Sequence, residues 1–366
     1  MHINNLTSVI MPVGDNEKEQ NYLRTIDSLI ETAKEDIEIL FLADGWEPNN
    51  SLFNKYSQVR ILPSVENLGE RRTVNRGAKL AKGDYIFRID AHCKMSNEWD
   101  VKLKKSCEDN YLLVCIIDAI KEKNWLSLNH NYTFVYITPS AEEKWWGYYH
   151  KQDNNKILQE TMTLTGCGWF CKKDYFNNKI SFDEDLGKWG CIGPEMSAKV
   201  EKSNGHIMLH KEVFCGHLFN TNLKGYPIDV VADTRKKILQ RYHKEIYQLA
   251  QKFKPVPTWE NVNEDYLKNW ESYFMYNVIY DTDVIKQDKT EIKDKDNNVI
   301  KKIIKKYKPV KYVGKEDPDI PEVGKKITQN AEIELIKVAE INSEGKWEFI
   351  EYNTKQEIDM YLFENE

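Results

Sequence analysis

The stretch Glu70-Arg71-Arg72-Thr73-Val74-Asn75-Arg76-Gly77-Ala78-Lys79-Leu80-Ala81-Lys82-Gly83-Asp84-Tyr85-Ile86-Phe87-Arg88-Ile89-Asp90 decides the fold. Its first part predicts a helix from Glu70 to Ala81, stopped by Gly83. Tyr85 to Ile89 is a short apolar run that predicts a strand and delivers Asp90 at its C-terminal end. The same alternation runs upstream. Ser8-Val9-Ile10-Met11-Pro12-Val13, closed by Gly14, predicts a buried strand. Leu23, Ile26, Leu29, Ile30 and Ala33 then recur at helical spacing. Ile37 to Leu42 predicts a second strand closed by Asp44-Gly45, and Val59 to Leu62 a short third. A β-α-β-α-β order implies an α/β domain with a parallel sheet and helices on its faces. Ligands of such sheets bind beyond the carboxyl ends of the strands, where Asp44 and Asp90 both fall.

Further along the pattern is less regular. Leu112 to Ile117 and Tyr132 to Ile137 predict strands, and Trp145-Trp146-Gly147-Tyr148-Tyr149-His150 is an aromatic cluster in a loop or a core ridge. Gly166 to Phe170 predicts a strand or turn in close approach to something. Pro194 to Lys202 predicts a helix with Pro in its first turn and Gly205 past its end. A long amphipathic helix is predicted from about Ile228 to Phe253. Pro255-Val256-Pro257 then punctuates the chain, and the remainder is rich in Lys, Glu and Asp with short β-type runs. The domain reading is 1–254 as the α/β domain and 255–366 as a small β-rich appendage, acceptor-binding or structural. Asp294-Lys295-Asp296-Asn297-Asn298 is its predicted hairpin turn.

Composition bounds the class. Of 366 residues, 41% are hydrophobic, enough for a core, and 30% are charged. The net charge of -6 argues against a protein coated in basic surface, though it leaves room for a local basic patch. No apolar window is long enough for a transmembrane helix, and Met1-His2-Ile3-Asn4-Asn5 does not read as a secretory signal. Seven cysteines, an odd number without a Cys-x-x-Cys pair, predict reduced thiols and a cytoplasmic protein.

Asp90-Ala91-His92 carries the chemistry. Residues two apart on an extended chain share a side, so the carboxylate and imidazole converge on one point. A divalent cation bridging a diphosphate needs such a pair with positions left open for phosphate oxygens. The bland alternative is a strand-end Asp capping a turn beside a surface His.

The wider pattern resembles nucleotide-sugar glycosyltransferases of the GT-A fold. Pro12 and Asp44 at the ends of the first two strands resemble it. So does the run Glu66 to Ala78, in which Asn67, Gly69, Arg72, Asn75 and Gly77 match that family's "Asn-x-Gly … Ala-Arg-Asn-x-Gly" stretch. Asp90, His92, Cys93 and Trp99 are similar to the Asp-x-His region of the polypeptide N-acetylgalactosaminyltransferases, where most GT-A relatives have Asp-x-Asp. Phe182 to Gly190 with Gly193-Pro194-Glu195 resembles their "Tyr-Asp … Trp-Gly-Gly-Glu-Asn" segment, and Val213 to Phe219 their "Val-Gly-His-Val-Phe". The likeness covers roughly residues 7 to 220. It departs at Cys191-Ile192-Gly193-Pro194-Glu195, which has two extra residues and no Asn. It departs again at Asn220-Thr221, where an Arg often stands, and no lectin-like repeat follows.

The resemblance implies a GT-A (Rossmann-like), mostly parallel sheet flanked by helices. It implies a metal site of Asp90, His92 and His217 holding Mn²⁺ or Mg²⁺ against the leaving diphosphate. Zinc would want more Cys or His at close spacing. Pro12, Asp44, Asn67, Arg72 and Asn75 would contact the nucleotide sugar: Asp44 accepts from the base and Arg72 pairs with diphosphate or base. The alternatives are a strand-end turn at Asp44 and a surface helix charge at Arg72. Glu195 would be a general base in an inverting reaction, would orient substrates in a retaining one, or is a first-turn helix carboxylate. Trp189 would shape the sugar pocket or pack in the core.

The function expected is metal-dependent sugar transfer from a nucleotide sugar, uridine-based, to an acceptor hydroxyl. A protein Ser/Thr, a glycan or a hydroxymethylated DNA base is the candidate acceptor. Lys301 to Lys311, with six lysines, suits phosphate contact or a solvated strand pair. The rival readings are nucleotidyl transfer, for which Val13-Gly14-Asp15-Asn16 offers little of the Gly-rich phosphate loop it wants, and a non-catalytic sugar- or nucleic-acid-binding module.

Overall fold

A computed structural model describes residues 3–147, 149, 151–219, 228–276, 286–293, 299–309, 331–341 and 347–352. The chain forms two compact units, Met1–Trp270 and Glu271–Glu366.

The first unit opens as the apolar runs dictate. Strand β1 (Ile3–Gly14) leads to helix α1 (Glu19–Thr32), then β2 (Ile37–Asp44), β3 (Val59–Ile61), α2 (Glu70–Leu80) and β4 (Gly83–Arg88). All eight residues of β2 are buried, as expected for a parallel strand covered on both faces. After β4 come β5 (Cys93–Met95), α3 (Trp99–Ser106), β6 (Tyr111–Ile120), β7 (Ser127–Tyr132), β8 (Val135–Ile137), β9 (Glu143–Trp145), β10 (Leu158–Glu160) and β11 (Trp169–Lys172). A single turn α4 (Lys173–Tyr175), helix α5 (Ile192–Lys202), strand β12 (His206–His217) and helix α6 (Ile228–Lys252) complete the run, and helix α7 (Tyr266–Tyr276) runs through the division at Trp270.

The main sheet has the order β10-β12-β6-β11-β4-β1-β2-β3, with β5 added on β12 and β7 on β6. β4, β1, β2 and β3 are mutually parallel, and β12 runs parallel to β6. β11 joins these two parallel groups by pairing antiparallel with both β4 and β6. The expected α/β fold with helices flanking the sheet is therefore present, its parallel groups joined by an antiparallel strand. The main core packs Val9, Met11, Ile39 and Phe41 with Ile26 and Leu29 of α1, and Phe87 with Trp99 of α3 at a ring distance of 4.6 Å. Residues after Pro255 still pack on this unit, because Trp259 Nε1 donates to the Ile137 carbonyl and the Tyr266 hydroxyl to the Pro139 carbonyl.

The entry to α2 is fixed by a close backbone approach. Gly69 immediately precedes α2, and its φ of +80° and close approach to Lys188 leave no room for a Cβ, which would lie 2.6 Å from the Lys188 Cα. The Glu70 N–H then donates to the Lys188 carbonyl at 2.7 Å. The start of α2 is thereby docked on the segment that carries Trp189.

In the second unit, β13 (Lys286–Lys293), β14 (Val299–Pro309), β15 (Ala331–Ile341) and β16 (Trp347–Tyr352) form an antiparallel four-stranded sheet in chain order. The lysine-rich run falls largely in β14. The turn expected at Asp294–Asn298 lies outside the described residues, as do Tyr148, His150, Asn220 and Thr221.

Candidate active site

β4 ends at Arg88, and two residues later Asp90 leaves the sheet edge. β5 and β12 pair antiparallel with His217 opposite Cys93. This register sets His217 beside the residue next to His92. Nε2 of His217 lies 3.1 Å from the Asp90 Oδ2 and 3.1 Å from the Nε2 of His92. Two ligands at about 2.1 Å on adjacent corners of an octahedral cation stand about 3 Å apart, so both pairs that share His217 Nε2 have that spacing, and all three groups lie within 4.8 Å of one another. Two imidazole nitrogens and one carboxylate oxygen suit a divalent ion of the Mn²⁺ type. Sequence spacing could not bring in His217 alone; the β5–β12 pairing does.

The surroundings orient these groups. Nδ1 of His92 bonds the Glu17 carboxylate at 2.7 Å, which leaves Nε2 as the lone-pair nitrogen facing the site. Burial alone would raise the Glu17 carboxyl, but its hydrogen bond and charge contact with His92 outweigh that and lower it. Asp90 is likewise pushed up by burial, but the Arg88 guanidinium and the His217 hydrogen bond hold it well below the ordinary carboxylate range. Arg88 reaches Asp90 Oδ1 at 2.6 Å and Glu70 Oε1 at 2.5 Å. Asp90 therefore stays ionised at any working pH.

Asp90 and His217 line a cavity of about 540 Å³. Trp145, Trp189 and Phe219 line it too, each 40–45% exposed, which makes them large apolar faces turned toward a polar centre. Mostly apolar walls with a few convergent polar groups characterise small-molecule sites. Glu143 adds a carboxylate, whose Oε1 accepts from the Gly193 N–H at the start of α5 at 2.6 Å. Although the residue as a whole is exposed, burial of its carboxyl end raises that group to about 7.

The remaining expected residues fall in different places. Glu195, the expected acceptor-side carboxylate, is a correction: it is wholly buried and does not line the cavity. Its Oε2 accepts from Arg71 Nε at 2.7 Å and its Oε1 from the Asp183 N–H at 2.6 Å. Both of its oxygens are thus engaged inside the protein rather than offered to the cavity. Arg71 also donates to the carbonyls of Gly187 and Gly190, so the pair braces the loop that presents Trp189. Arg72 is exposed, 3.7 Å from Glu184, and does not reach the cavity wall. Asn75 is internal, exchanging bonds with the backbone of Phe182. Asp44 accepts from the N–H groups of Leu68 and Gly69 at 2.6 and 2.8 Å. Asn67 is exposed and packs over Gly45, and Pro12 sits half-buried in β1 opposite Leu42. The sequence reading missed Glu17, Arg88, Arg71 and Glu143.

The fold is that of GT-A-type domains and carries a metal-competent centre, and residues 8–178 match the family model Glycosyl transferase family 2. In sequence the chain resembles polypeptide N-acetylgalactosaminyltransferases. It is 24% identical over 237 residues to polypeptide N-acetylgalactosaminyltransferase 3 of Drosophila melanogaster, covering 59% of this chain and 35% of that protein. It is 25% identical over 230 residues to polypeptide N-acetylgalactosaminyltransferase 13 of Homo sapiens, covering 58% and 41%. The chain thus spans less than half the length of these relatives. In structure it is similar to GalNAc-T7 solved with UDP, GalNAc and Mn²⁺, at a TM-score of 0.57 and 16% identity, covering 93% of this chain and 68% of that one. Among the described residues no helix is long and apolar enough to cross a membrane.

Proposed function

We propose that this protein transfers a sugar from a UDP-linked donor to an acceptor hydroxyl with the help of a divalent cation, Mn²⁺ in preference to Mg²⁺. One observation carries the reading: Asp90 Oδ2 and His92 Nε2 each lie 3.1 Å from His217 Nε2 at the edge of an aromatic-walled cavity. A cation held there neutralises the charge that develops on the departing diphosphate. The chain's own residues do the rest. Glu17 and Arg88 orient the ligands, and Trp189, braced by Arg71 and Glu195, packs against the sugar. Glu143 offers the acceptor side a carboxylate within the cavity. Pro12, Asp44 and Asn67 form the nucleoside wall beyond the ends of β1 and β2, while Arg72 and Asn75 support it from α2.

The acceptor we favour is a protein Ser or Thr hydroxyl, from the likeness to the polypeptide transferases. We place the protein in the cytoplasm, on the ground that all seven cysteines are free thiols. The test is a panel of UDP-sugars with and without Mn²⁺, each with a Ser/Thr peptide or hydroxymethylated DNA. Metal-dependent release of UDP, lost in Asp90→Asn and His217→Ala, supports the proposal. Release of pyrophosphate from a nucleoside triphosphate would favour nucleotidyl transfer instead. Metal-independent UDP binding unchanged by Asp90→Asn would favour a binding module.

A further inference from the structure

Behind the Asp90–His217 centre lies a second cluster that sugar transfer does not use. Cys93, Cys167 and Cys215 are buried free thiols. They come from three places in the fold: β5, the turn before β11, and β12. The sulfurs of Cys93 and Cys167 and one ring nitrogen of His217 lie within 4.8 Å of one another. Nε2 of His217 faces Asp90 and His92, whereas its Nδ1 is buried and makes no hydrogen bond. Cys167 also lines the cavity, which gives a small ion a way in.

Thiols packed for bulk alone have no need to converge on an unsatisfied imidazole nitrogen. Soft sulfur donors select d¹⁰ ions, and two sulfurs with one imidazole make three corners of a tetrahedral site whose fourth corner a water can fill. Donor atoms about 2.3 Å from such an ion stand about 3.8 Å apart, which this cluster can reach by small side-chain shifts.

We propose that Cys93, Cys167 and the Nδ1 of His217 form a second, soft-metal site that takes a thiophilic ion such as Zn²⁺ or Cd²⁺. Metal–sulfur bonds form as the S–H protons pass to water, and no oxidation state changes. A neutral imidazole has one lone-pair nitrogen. Giving Nδ1 to the soft ion leaves the ring proton on Nε2, which then cannot serve the hard ion. The two sites therefore compete through His217, and a thiophilic ion inhibits the protein without touching its substrates.

The experiment titrates the full-length reduced protein with Cd²⁺. It follows the ultraviolet thiolate-to-metal charge-transfer band, and bound Mn²⁺ by electron paramagnetic resonance. One equivalent of Cd²⁺ should produce the band, weaken Mn²⁺ binding by about 10–100-fold as loss of ligand support does, and protect Cys167 from alkylation. Cys93→Ser and Cys167→Ser should diminish the band, and Cys171→Ala, a buried thiol outside the cluster, should keep it. The proposal fails if wild-type protein shows neither band nor protection. It fails equally if both serine variants, folded by circular dichroism, keep the full band, or if Cd²⁺ loading leaves Mn²⁺ affinity unchanged.

Discussion

Arg71 and Glu195, 124 residues apart in sequence, are ion-paired at 2.7 Å with neither side chain exposed. Because the same guanidinium holds the Gly187 and Gly190 carbonyls, the pair acts on the cavity only through the loop that bears Trp189. Removing one partner of a buried pair leaves an uncompensated charge. Glu195→Ala should therefore cost about 3–5 kcal/mol in urea unfolding. A loss within the scatter of surface substitutions would show that this carboxylate is not held as a buried charge.

Glu17 touches no cavity wall, yet it fixes the ring of His92. Supporting carboxylates of this kind are worth about 10–100-fold in metal affinity. Glu17→Ala should weaken Mn²⁺ binding by that factor in isothermal titration while leaving the melting temperature of the metal-free protein nearly unchanged. Equal Mn²⁺ affinity in variant and wild type would remove Glu17 from the site.

Asp44 satisfies two backbone N–H groups at the entry to α2. Asp44→Ala would strand both, at a cost of about 1–3 kcal/mol each where buried, seen as a lower thermal midpoint. If Asp44 also receives the nucleobase, KM for the UDP-sugar rises as well. A fall in stability with an unchanged KM would confine Asp44 to the turn.

Glu143 gives a pH signature. Its folded carboxyl is raised from 4.5 to about 7, chiefly by burial. Between those two values the folded state holds a proton that the unfolded state has lost. Its contribution to stability is thus full below pH 4.5 and declines as pH rises to about 7. Glu143→Gln, which cannot ionise, should be relatively more stable than wild type at pH 8 than at pH 4. Parallel stability–pH curves for the two proteins would contradict the raised value.

The sequence reading and the structure part company for local reasons. β1, β2 and α2 were legible because their apolar residues repeat at strand or helix period. β12 was not, since His210, Lys211 and Glu212 interrupt the alternation where its register against β6 shifts between His210 and Phe214. Only the part of it near His217 stood out, through a resemblance. The choice between Arg71 and Arg72 was readable: Arg71, Val74, Asn75 and Ala78 share one helical face, and all four are buried. Glu17 and Glu143 left no periodic trace. Glu17 is 75 residues from His92 in sequence, and Glu143 meets Gly193 from 50 residues away. Partnerships at such distances are set by the tertiary fold.

The pairing of His217 with Cys93 across β5 and β12 has a consequence for how the centre tolerates change. The separation of two of its ligands is carried by main-chain hydrogen bonds, so it exists before any ion arrives. A chelator should accordingly abolish metal-dependent turnover while leaving the protein folded, its unfolding midpoint lowered only by the loss of the bound ion, in contrast to proteins whose metal organises the chain. The same arrangement frees outward side chains of both strands to drift without moving the ligands, so the spacing of the ligands can outlast the similarity of the surrounding sequence.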